Sequence, residues 1–73
     1  MNVSDMLRRH ANAMTEQRFP DRAAALSEAA DLVDKVGEQE AKAILLARLE
    51  DADWKPYWTL IGFALDWLRY YSR

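Results

Sequence analysis

The sequence predicts an all-α fold: a small bundle of three to four helices in one domain spanning residues 1–73. Three observations predict it. Apolar residues recur at intervals of three and four along most of the chain, and no stretch alternates as a strand would. Only two glycines and two prolines punctuate the 73 residues, and each suits a helix boundary. No internal repeat of 20–50 residues suggests a solenoid or propeller.

Each helix has its own signals. Ser4 is a good N-cap for the first, with Asp5 in the first turn where its charge favours the helix dipole. Val3, Leu7, Ala11 and Met14 then carry the apolar face to about Gln17. Pro20 and Asp21 open the second helix, since proline is tolerated in a first turn and aspartate can cap. Phe19, just before them, is expected to plug the corner between helices. The second helix runs to Val36 and is alanine-rich, with Leu26, Ala29, Ala30, Val33 and Val36 in phase. Gly37 stands as its terminating residue, against the alternative of one long helix with a tolerated glycine. The third helix, Glu38 to about Glu50, should bury Ala41, Ile44, Leu45 and Leu49. Asp31–Lys35 and Glu38–Lys42 are spaced as i,i+4 ion pairs. Asp51 to Asp53 form an acidic break. Lys55, restricted by the proline that follows it, places the start of the last helix near Pro56.

Composition bounds the function. A domain of this length buries only about 60% of the surface of its unfolded chain, so it is marginally stable alone. Cysteine is absent and there is one histidine, which excludes disulfides and any zinc site built from Cys and His. Packing or oligomerisation is left as the stabilising device. The N-terminus lacks the apolar core of a signal peptide, and the longest uncharged run, Pro56–Leu65, is half of the roughly 20 residues a membrane span needs. A cytoplasmic protein is the expectation. Residues 1–20 carry net +1, residues 21–53 net −5 and residues 54–73 net +2, totalling −2. A nucleic-acid binder would concentrate Lys and Arg on one face, and this pattern does not.

Catalytic constellations are missing from the sequence pattern. His10 lies beside Arg8 and Arg9 and reads as a solvated or boundary histidine, with no Ser–His–acid arrangement in sight. The carboxylates of the second and third helices are spaced as solvated faces rather than as a metal cage. No phosphate loop, dinucleotide fingerprint, EF-hand or HExxH motif occurs. The expectation is no enzyme, no cofactor and no metal. A helix-turn-helix reading of residues 41–65 fails because the second helix offers few basic groups and Asp51 and Asp53 would repel phosphate. An interfacial membrane helix is disfavoured by Asp66 and by the acidic middle of the chain.

What remains is the C-terminal segment WKPYWTLIGFALDWLRYYSR, which holds all three tryptophans, all three tyrosines and one of two phenylalanines. As a helix it has a narrow polar strip of Thr59, Gly62, Asp66, Arg69 and Arg73, and an apolar arc of roughly 240°, where a surface helix needs about 100°. The excess must go into a second helix layer, a partner chain or a membrane surface. With Trp58, Ile61, Leu65 and Leu68 assigned to the core, Tyr57, Leu60, Phe63, Trp67, Tyr70 and Tyr71 are the candidate contact residues. Asp31, Asp34, Glu38 and Glu50 are the candidate charged rim. Tryptophan and tyrosine dominate interface hot spots because they bury large area and keep a polar tip. The expected partners are a second copy, as a homodimer, and a bacterial host protein.

Residues 6–34, MLRRHANAMTEQRFPDRAAALSEAADLVD, look like small helical accessory proteins encoded by bacteriophages and other mobile elements, with a short first helix, a proline-marked corner and an AAAL-x-EAAD-like second helix. The resemblance stops before the aromatic helix and carries no catalytic or binding residue with it. It implies an inhibitor or adaptor that occupies a surface of a bacterial host protein, as anti-CRISPR proteins and host-enzyme inhibitors do. A structural homo-oligomer or assembly component is the alternative, and a DNA-binding transcriptional regulator a lesser one.

Overall fold

A computed structural model, which describes residues 2–73, has the chain as four α-helices: α1 Val3–Glu16, α2 Pro20–Val36, α3 Glu38–Leu49 and α4 Trp58–Tyr71. A 3-10 helix, Ala52–Tyr57, leads into α4, and the described residues contain no strand. None of these helices is long and apolar enough to cross a membrane.

The first helix starts two residues earlier than Ser4 suggests. Asn2 is the N-cap, its Oδ1 accepting the Asp5 backbone N–H at 2.9 Å. Ser4 is buried inside the helix, and its hydroxyl donates to the same Asn2 oxygen at 2.9 Å. α1 ends at a tight corner in which Arg18 adopts φ 66°, with Arg18 N–H donating to Thr15 O and Phe19 N–H to Met14 O. That is the Schellman pattern, with arginine where glycine is usual. Phe19 does not plug the corner. It is exposed, with the Arg22 guanidinium 4.7 Å from its ring centroid.

α2 is the hub, packing on α1, α3 and α4. Leu26, Ala29 and Ala30 are fully buried, and Ala23 nearly so; the small alanines let neighbouring helices come close. Val36, in phase by sequence, is exposed because the chain turns away at Gly37. Gly37 does break the helices, at φ 87° and ψ 168°. The other core residues are Val3, Leu7 and Ala11 of α1, Ala41 and Leu45 of α3, and Ile61, Ala64, Leu65 and Leu68 of α4. Ile44 and Leu49 are only half-buried.

The acidic break and Pro56 are wound into the 3-10 helix rather than left as a loop, which moves the start of α4 from Pro56 to Trp58. Asp51 caps it, its carboxylate accepting the Asp53 N–H at 2.9 Å. The half-buried Trp58 then fastens the reversal: its indole N–H donates to the Arg48 carbonyl at 2.9 Å and reaches the Asp51 carbonyl at 3.2 Å. The Arg48 carbonyl is one of those that the end of α3 leaves without an intrahelical donor.

The two glycines give opposite predictions. A Cβ meets nothing within 4 Å at either position, so backbone alone decides. Gly37 occupies a region of φ and ψ that only glycine enters easily, so Gly37→Ala should lower the free energy of unfolding by about 1–3 kcal/mol in chemical denaturation. Gly62 sits inside α4, where Gly62→Ala should raise it by about 1 kcal/mol.

Candidate partner-binding surface

The ten candidate residues do not form one surface. Phe63, Trp67 and Tyr71 are half-buried and pack against the core, and His10 of α1 lies beside all three. Its imidazole lies 4.2 Å from Trp67, centroid to centroid and edge-on, with Tyr71 and Phe63 further out at 6.1 and 6.3 Å. His10 Nδ1 and the Tyr71 hydroxyl are 3.0 Å apart, and either tautomer keeps the bond: the hydroxyl donates to a bare Nδ1, or Nδ1–H donates to the hydroxyl oxygen. Of this aromatic group only Tyr70 stays largely exposed, at 53%, with Arg73 5.3 Å from its ring. The boundary histidine of α1 is therefore the residue that divides the aromatic helix, and its spacing from α4 in sequence gave no sign of it.

Asp31 and Asp34 belong to another face. Arg8 of α1 donates to both, at 2.9 and 2.6 Å, so Asp31 pairs across the helices rather than with Lys35. The Ser4 hydroxyl and Arg8 hold the Asp34 carboxyl below its ordinary value. Glu38 and Glu50 stand at opposite ends of α3. The proposed charged rim is thus not continuous.

Tyr57 and Leu60 are different. They line an open groove of about 530 Å³ between α2 and the segment that joins the 3-10 helix to α4. Tyr57 is 55% exposed, and Trp54 meets it edge-on at 6.2 Å. The 3-10 helix packs on α3 and α4 while α2 stands off across the groove. One connection spans the gap: Arg48 of α3 lies 4.3 Å from the Trp54 ring centroid and donates to Glu28 of α2 at 2.8 Å.

The lining follows helix spacing on both sides. α2 contributes Asp21, Ala24, Ala25 and Glu28, at i, i+3, i+4 and i+7. The opposite side contributes Tyr57, Leu60, Ile61 and Ala64 at the same intervals, and Leu45 floors it. Sequence reasoning took only Tyr57 and Leu60 of these. The readable signal was the stripe Asp21-Ala24-Ala25-Glu28, a small-residue flank of α2 beside its core face. Among the described residues, no group of three or more His, Cys, Asp or Glu is arranged to hold a metal ion. Neither a protein-family model, a curated protein nor a solved structure matches the chain.

The His10 cluster gives the fold a pH dependence of determinate sign. Burial lowers the His10 pKa below its ordinary 6.5, so the unfolded chain binds the proton first as pH falls. Stability from this group is complete above about pH 7 and declines as pH drops through 6.5 toward the folded value. Burial raises the Tyr71 pKa above 10, with Tyr70 adding to it, so stability declines again as pH rises beyond 10. The expected result is a plateau in thermal midpoint from about pH 7 to 10, falling between pH 7 and 5. His10→Phe should remove the acid-side fall over that interval, since Asp34 titrates below its ordinary 3.8.

Proposed function

We propose that this chain is a non-enzymatic protein-binding module whose contact surface is the groove between α2 and the Trp54–Leu60 segment. The observation that carries the proposal is the pair of facing i, i+3, i+4, i+7 stripes, Asp21-Ala24-Ala25-Glu28 and Tyr57-Leu60-Ile61-Ala64. Such spacing normally belongs to faces that pack against another helix. Its volume lies within the roughly 300–1,000 Å³ of binding pockets, and its walls combine an apolar floor with a few charged and aromatic groups. Tyr57 is the exposed anchor, of a residue type that supplies large contact area at small conformational cost. Leaving alanines at 24 and 25 forgoes burial that leucine would gain there, which fits a surface kept open for contact rather than for stability. The version that the resemblance of residues 6–34 favours is an inhibitor or adaptor acting on a bacterial host protein.

Site-specific photo-crosslinking tests this reading. A benzophenone amino acid replacing Tyr57 should give one discrete adduct in bacterial lysate. The same group replacing Asn12, exposed on α1, should give none, and Ala24→Leu should abolish the Tyr57 adduct. Equal labelling from both positions, or persistence of the adduct in Ala24→Leu, would remove the groove as the contact surface. An adduct of twice the chain's own mass would make the protein a self-assembling component instead.

A further inference from the structure

Three charged side chains line the groove, and they are not equally available. The Arg48 side chain is 20% exposed, held under Trp54 and bonded to Glu28. The Glu28 side chain is 56% exposed. Asp21 is exposed and has no ion-pair partner among the described residues. The charge that the groove turns to solvent is therefore negative, and it lies along one wall. Asp21 and Glu28 are seven residues apart on one helix, which sets their backbones about 10 Å apart along it. The other wall, Tyr57 and Leu60, is aromatic and aliphatic. The alanines between the two carboxylates allow another backbone to approach α2 closely.

From this asymmetry we infer that the groove takes an amphipathic helix of a partner protein, laid with its apolar face against Leu60, Ile61 and Leu45 and with Lys or Arg along the edge that meets Asp21 and Glu28. The inference rests on the groove being the protein-binding surface and adds the chemistry of its occupant. Helix-in-groove recognition lays apolar anchors at i, i+3 or i+4, and i+7 of the bound helix into such a groove. Carboxylates beside an apolar floor steer a basic helix and repel an acidic one, so their main contribution is to partner choice. An acidic partner would have to displace Arg48 from both Glu28 and Trp54 to find a cation in the groove.

The test is a selection in which the partner's chemistry is the readout. A displayed library of helical peptides of roughly 18 residues, long enough to hold a helix when docked, is selected on the intact chain and counter-selected on Ala25→Trp. Ala24→Trp serves as a second groove-filled variant, and circular dichroism checks that both keep the fold. The expected peptides bind the wild type, are lost on both filled variants, and pair Leu or aromatic anchors with Lys or Arg on one edge. Asp21→Lys should weaken a representative peptide by about tenfold, since it sets like charges face to face. Asp5→Lys, on the exposed start of α1, should leave it unchanged. Groove-dependent peptides that are neutral or acidic would overturn the basic-helix inference while leaving the groove as a binding surface. Peptides that bind the filled variants equally well, or no enrichment at all, would overturn both.

Discussion

The structure depends on the alanines of α2. With Leu26 at their centre, Ala23, Ala29 and Ala30 let three other helices pack against one, which gives a chain of 73 residues a continuous core without a disulfide. Close packing of this kind extracts more burial per residue than a small domain can otherwise reach. The same composition continues onto the flank of α2, where Ala25 is half-buried at the edge of the core and Ala24 is exposed. There, small side chains leave a trough instead of a contact. Core and groove are two consequences of one alanine-rich stretch, and the difference between them is which neighbour each face of α2 meets.

The aromatic surplus of α4 is resolved in a comparable way. Ile61, Leu65 and Leu68 enter the core, as amphipathic spacing requires. Trp67 and Tyr71 are then taken up by α1, where His10 offers a flat, polarisable ring and a hydrogen-bond partner for the Tyr71 hydroxyl. A buried hydroxyl without such a partner would carry a desolvation cost. At the other end of the helix Trp58 is committed to the carbonyls at the end of α3, and Trp54 to Arg48. Tyr57 and Tyr70 are left as the exposed aromatics, at opposite ends of α4, so the surface available to a partner is narrower than the aromatic content of the segment suggests.

What the sequence made legible is the part governed by local rules. Helical period, proline at the start of α2 and glycine after it are short-range signals, and the element boundaries they imply agree with the structure to within a residue or two, but they miss the 3-10 helix ahead of α4. There, Asp51 capping and the indole of Trp58 wind Ala52–Tyr57 into a 3-10 helix, a result of side-chain bonds to carbonyls seven and ten residues back. The division of the candidate contact residues was not legible for a related reason. Whether Trp67 faces a partner or His10 depends on how α1 crosses α4, 57 positions away in sequence, and no periodicity within either helix encodes that crossing. Asp31, beside Lys35, and Asp34 read as part of a charged rim until Arg8 is placed across from them. The groove was half legible: its stripes are periodic, but small residues flanked by acids read equally as a solvated helix face until the second stripe is seen opposite.

The claim on which the rest turns is that the flank of α2 is open in solution. Solvent paramagnetic relaxation on the assigned NMR spectrum, with a soluble gadolinium chelate, measures this directly. The methyl group of Ala24 and the ring of Tyr57 should relax strongly, and Leu7, Leu26 and Leu68 weakly, with Ala25, Leu60 and the Trp67 ring between them. Groove methyl groups as protected as those of Leu26 would contradict the claim and mean that the trough is closed by the chain itself or by a second copy.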